Sequence, residues 1–124
     1  MLFYYCPKGT ERMVIDMRKV NLEVIRKELY SNLQEMFFGA FYKFFNETDS
    51  MLGDMIRIHR SKPFSDFEYD IFIMFEESGL YCYREDNNND GDFSFQWVVY
   101  FSDCKNKTVL YMKVVQQLTM QLLN

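Results

Sequence analysis

EDNNNDGDFSFQWVVYF, residues 85–101, decides between two folds. Asp86, Asn88, Asp90, Gly91 and Asp92 stand where a calcium-binding loop places its early ligands and its glycine, and such a loop lies between two helices. The last place of that loop needs a bidentate carboxylate, because calcium takes about six to eight oxygen ligands. Here that place is held by Trp97, which has no oxygen in its side chain. A helix should also follow. Instead Phe93, Phe95, Trp97, Val99 and Phe101 alternate with Ser94, Gln96, Val98 and Tyr100, the period of a strand. Asn, Asp and Gly tolerate positive φ and hydrogen-bond their own backbone. The stretch therefore reads as a polar hairpin loop running into a strand. A weak cation site on Asp86, Asp90 and Asp92 is the lesser alternative, and no metal or other cofactor is expected.

Working back from this hairpin, LYCYR (80–84) reads as the strand that pairs with it. The segment EESG before it is a turn. FEYDIFIMF (67–75) sets Phe67, Tyr69, Ile71, Ile73 and Phe75 against Glu68, Asp70, Phe72 and Met74. It begins half-exposed and should end buried on both faces. SKPFSD is a loop punctuated by Pro63, and Met55–His59 is a further short strand. Consecutive strands joined by short links predict an antiparallel meander.

On either side of the strands the apolar period lengthens to that of a helix. Asn21 is an N-cap candidate. Leu22, Ile25, Leu29, Leu33, Met36, Phe37, Ala40, Phe41 and Phe44 then form one stripe, predicting a helix of about 25 residues that ends near Asn46. Phe38 and Phe45 fall beside the stripe, where part of the helix could meet another chain. After SDCKNKT, with Thr108 as N-cap candidate, Tyr111, Val115, Leu118 and Leu122 mark a second helix, with Val114 beside them. MLFYYC reads as a short strand, and RMVIDMRK (12–19) fits either strand or helix. The expected fold is α+β: an antiparallel sheet of about four strands with a long helix from the N-terminal half and a C-terminal helix on one face, residues 1–124 forming one domain.

The 19% aromatic content, with 13 Phe and 9 Tyr, supplies large side chains for such a core. The abundance of Asn, Asp, Tyr, Phe, Ile and Met is that of an AT-rich gene. Cys6, Cys82 and Cys104 form an odd set without a CxxC pair, which favours reduced thiols in a cytoplasm. No apolar run is long enough to span a membrane, and MLFYYCPKGTERM lacks the basic region and cleavage site of a signal peptide.

Catalytic chemistry finds little support. His59 is the only histidine, and a nucleophilic pair with Cys82 or Cys104 has no local signature. Cys82 reads as a small hydrophobe in a strand, and His59 as a surface residue beside basic neighbours. Zinc would need ligand spacing that three scattered cysteines and one histidine do not provide. Glu68 and Asp70 share a strand face and could act as acid and base, but alternating carboxylates usually mark the wet face of a sheet. Gly53 and Gly79 read as turn residues. The chain is not expected to be an enzyme.

The distribution of charge carries more. Residues 1–63 hold 10 Lys/Arg and 8 Asp/Glu, while residues 105–124 add three lysines and no acid. Residues 64–104 hold one basic residue, Arg84, and ten acids, a net −9 within a chain of −4. Such a concentration repels itself and must be offset elsewhere. It suits electrostatic capture of a basic protein, and it disfavours direct nucleic-acid binding, since phosphates would be repelled. In size, acidity and composition the whole chain resembles the immunity proteins of bacterial toxin–immunity systems, notably contact-dependent growth inhibition. The resemblance implies a cytoplasmic protein that blocks a cognate basic toxin, often a nuclease, by covering its active-site cleft. The residues expected to meet the toxin are Glu68, Asp70, Glu76, Glu77, Glu85, Asp86, Asp90 and Asp92, with Tyr81, Tyr83 or Tyr100 as aromatic anchors. The alternative is a mobile-element mimic of nucleic acid that inhibits a defence enzyme.

Overall fold

The computed structural model describes residues 21–51, 53–61, 68–86 and 93–122, with only the backbone of residues 93 and 94. The N-terminal readings at MLFYYC and RMVIDMRK, the SKPFSD loop beyond Ser61 and the acids Asp90 and Asp92 lie outside these residues. The elements are α1 (Leu22–Met36), β1 (Tyr42–Asp49), β2 (Gly53–Ser61), β3 (Glu68–Phe75), β4 (Gly79–Asp86), β5 (Phe93–Tyr100) and α2 (Lys107–Leu122), with one 3₁₀ turn at Phe101–Asp103. The strands pair in chain order as a five-stranded antiparallel meander, one strand more than expected. Residues 93–100 are a strand paired with β4, which excludes the helix that a calcium loop of the EF-hand kind requires.

Both helices lie on one face of the sheet. Ile25, Leu29 and Leu33 of α1 and Leu110, Val114, Leu118 and Leu122 of α2 share one core with Ile56, Ile58, Ile71, Ile73 and Leu80 from the strands. Full burial of each such side chain contributes about 1.5–3 kcal/mol. Asn21 caps α1, its Oδ1 accepting from Glu23 N at 3.0 Å and Val24 N at 3.3 Å.

The extra strand comes from the segment read as the end of the first helix. α1 stops at Met36: Phe37 is extended, and Gly39 has φ +126°, where a side chain would be strained. Phe37, Ala40, Phe41 and Phe44 do fit a helical stripe, but YKFFNETD equally sets Tyr42 and Phe44 inward and Lys43 and Phe45 outward. Aromatic side chains suit a pleated surface, and pairing with β2 decides the outcome. Tyr30 of α1 meets Phe44 edge-on at 6.3 Å, which seats the new strand against the helix. Phe38 consequently stands in the connecting turn, 78% exposed, and Phe45 lies on the sheet under the Arg57 guanidinium, 4.2 Å from its ring centre.

Smaller differences have local causes. α2 begins at Lys107 rather than after Thr108, because Asn106 Oδ1 accepts from Val109 N at 3.0 Å. Its buried stripe is Leu110, Val114, Leu118 and Leu122, so Tyr111 and Val115 fall to the side, half-buried. Phe72 and Met74 are half-buried on the helix-free face, not enclosed on both. Gly53 is a turn glycine with φ +80°, but Gly79 belongs to β4 and is needed there for a close approach to β5. No helix among the described residues is long and apolar enough to cross a membrane.

Candidate functional site

No described helix covers the other face of the sheet, and strand register determines what it presents. β3 turns Glu68, Asp70, Phe72 and Met74 to this side, opposite Glu85, Tyr83 and Tyr81 of β4. β2 adds Met55, Arg57 and His59, and β5 adds Gln96, Val98 and Tyr100. β1 contributes Lys43, Phe45, Glu47 and Asp49. The centre is aromatic. Phe72 and Tyr83 stack with ring centres 4.8 Å apart, and Tyr81 meets Tyr100 edge-on at 6.4 Å. Beside them a shallow groove of about 430 Å³ is lined by Met74, Tyr81, Tyr83, Gln96 and Val98. The three tyrosines named from sequence as anchors are thus brought together.

Carboxylates border this floor. Glu76 and Glu77 are exposed on the β3–β4 turn, next to Met74 and to Tyr81, whose hydroxyl lies 2.9 Å from Ser78 Oγ. At the other end Glu85 stands opposite Asp70, with Glu68 further along β3. Burial pushes the Tyr83 phenol above its ordinary pKa, and the negative charges of Glu85, Asp49 and Glu47 add to it.

The acidic end also contains a network that sequence reasoning missed. Arg57 donates from Nε to Glu47 and from Nη1 to Asp70 Oδ1 at 3.2 Å. Burial works against its charge, yet its hydrogen bond to Glu47 and the Glu47 and Asp70 charges outweigh this and raise its pKa. His59 Nδ1 lies 2.9 Å from Asp70 Oδ1, and its Nε2 lies 3.6 Å from Glu68 Oε1. His59 is therefore half-buried between carboxylates, because antiparallel pairing opposes it to Asp70 rather than to the arginines beside it in the chain. Asp70, only 19% exposed, already faces Arg57 and His59, so the Glu68–Asp70 pair is not presented to solvent as a free acid and base.

The remaining sequence candidates separate. Asp86 lies on the helix side, where its Oδ1 accepts from Arg84 Nε at 2.7 Å with 14% of the side chain exposed. It is thus removed from the face that carries Glu68, Asp70 and Glu85. Cys82 and Cys104 are buried free thiols, and burial pushes both above the usual thiol range. No group of three or more His, Cys, Asp or Glu among the described residues could hold a metal ion. A second apolar groove, about 590 Å³ between the helices, is lined by Met36, Tyr111, Met112 and Val115 among others.

The face combines aromatic rings held on strands, an acidic border, and a charge network in which Arg57 lies between Glu47 and Asp70. In comparisons with family models, with curated proteins and with solved structures, nothing matches this chain.

Proposed function

We propose that this chain is a non-enzymatic inhibitor of the immunity-protein type, which acts in the cytoplasm by covering a basic toxin domain of nuclease chemistry with the helix-free face of its sheet. One observation supports the reading: on that face the aromatic floor of Phe72, Tyr81, Tyr83 and Tyr100 lies between two acidic margins. A nuclease holds phosphates in a basic cleft. Carboxylates at Glu76, Glu77 and Glu85, together with Glu68, would meet that cleft's lysines and arginines, and the tyrosines would anchor the desolvated centre. Complementary potential speeds association by roughly ten to a thousandfold.

The test is capture from the source organism with wild-type protein and with a Glu76→Lys/Glu77→Lys/Glu85→Lys variant, at about 50 mM and about 0.5 M salt. A basic nuclease held by wild type at low salt, released at high salt and lost by the variant is expected. Tyr83→Ala should weaken the same complex by about 2 kcal/mol. Equal capture by wild type and the charge-reversal variant at both salts would refute the assignment to this face. Capture of a defence enzyme in competition with DNA would instead favour nucleic-acid mimicry.

A further inference from the structure

The two edges of the sheet are protected unequally. At the β1 edge, Ser61 N donates to Phe41 O at 3.1 Å, and antiparallel alternation then turns the backbone groups of Tyr42, Phe44 and Asn46 outward. That edge is guarded. The Tyr30 hydroxyl donates to Phe44 O at 3.1 Å, and Lys43, Glu47 and Asp49 place charges along the strand.

At the other edge, Phe101 N donates to Ser78 O at 3.0 Å, so Trp97 and Val99 bond to β4 while Gln96 and Val98 direct their N–H and C=O away from the sheet. These outward groups have no hydrogen-bond partner among the described residues. β5, FSFQWVVY, carries neither charge nor proline, the usual guards of an edge. A groove of about 290 Å³ runs beside it, between Trp97–Tyr100 and the Asp103, Lys113 and Gln116 side.

We propose that the β5 edge pairs antiparallel with the β5 edge of a second copy of this chain, joining two five-stranded sheets into one across a two-fold axis. A two-fold contact sets the same patch against itself, so the patch must be compatible with its own charge. β5 is formally neutral, and the adjoining groove holds one acid, Asp103, and one base, Lys113. Two copies can meet here without the repulsion that the net −9 of residues 64–104 imposes elsewhere. A basic partner gains no charge complement at this edge, which sets the site apart from the proposed toxin-binding face and leaves that face open in both copies.

Sedimentation velocity over a concentration series tests the pairing. Wild type should approach twice the 15.1 kDa chain mass, and Val98→Pro should remain monomeric with unchanged far-ultraviolet circular dichroism. The proline removes only an outward N–H, which edge strands tolerate. Amide exchange on wild type makes the test independent of that variant: the Gln96 and Val98 amides should slow at least tenfold as concentration rises. A wild type that stays monomeric throughout overturns the proposal, and so does a folded Val98→Pro that still dimerises. Edge amides that become protected only when a basic partner is added also overturn it, and assign the edge to that partner.

Discussion

Glu28 ties the two helices together through a single oxygen: Oε1 accepts from Lys107 Nζ at 2.8 Å and from the Tyr111 hydroxyl at 2.7 Å. These two bonds, Lys107 first, hold its carboxyl below the ordinary value of 4.5, while burial and then Glu28 push the Tyr111 phenol up. A depressed carboxylate stabilises the fold above its unfolded pKa and loses that contribution as pH falls through its folded one. Glu28→Gln should therefore lower stability at about pH 7 by about 0.5–1 kcal/mol, the modest figure due to a half-exposed group. The difference from wild type should fade below pH 4.5, as urea denaturation at about pH 7 and about pH 3 would show. Tyr69 acts at the opposite end of α2. It is fully buried, donates to Gln121 O at 3.1 Å, and carries the Arg84 guanidinium 3.8 Å above its ring. Arg84 also donates to Gln121 O at 3.3 Å, placing a cation at the carbonyl end of the helix. Tyr69→Phe removes one of these bonds and should cost about 1 kcal/mol in the same assay.

Among the elements, the β4–β5 pair depends on a glycine that reads from sequence as a simple turn residue. A Cβ on Gly79 would press on the Val99 carbonyl oxygen and lie 2.9 Å from Tyr100 Cα, both backbone atoms that cannot swing aside. Gly79→Ala should destabilise the protein by about 1–3 kcal/mol, the range for overpacking, and a thermal melt of the variant without a lower midpoint would contradict this. The same pair shows why the polar segment 85–92 connects strands. Register slips between Arg84 and Glu85, and Phe93 stands opposite Glu85, so the two strands that flank the Asn/Asp/Gly-rich run pair antiparallel. α1 and β1 show the converse. One apolar pattern served two periods, and a left-handed glycine at residue 39 separated them.

At the scale of the molecule, acidity is sorted by face. The helix-free side carries Glu47, Asp49, Glu68, Asp70 and Glu85 against Lys43 and Arg57, with Glu76 and Glu77 at its margin. This excess opposes folding through self-repulsion, and only part of it is offset, by Arg57 between Glu47 and Asp70. Sodium chloride should therefore raise the melting midpoint between about 20 mM and about 300 mM, as the Debye length shortens from roughly 20 Å to roughly 6 Å. A midpoint that falls over this range would mean that attractive pairs outweigh the repulsion.

The sequence alone determined the α+β class, the meander from residue 53 onward, the Asn21 cap and the concentration of net negative charge in residues 64–104, because period, turn chemistry and charge are local properties. It also placed Tyr81 and Tyr83 on one face, since strand parity is readable. Tertiary structure alone decided that residues 42–49 form a strand, that His59 faces Asp70, and that β5 forms an edge of the sheet among the described residues. Each of these depends on which strand lies opposite and in what register, and register is set by pairing between segments distant in the chain.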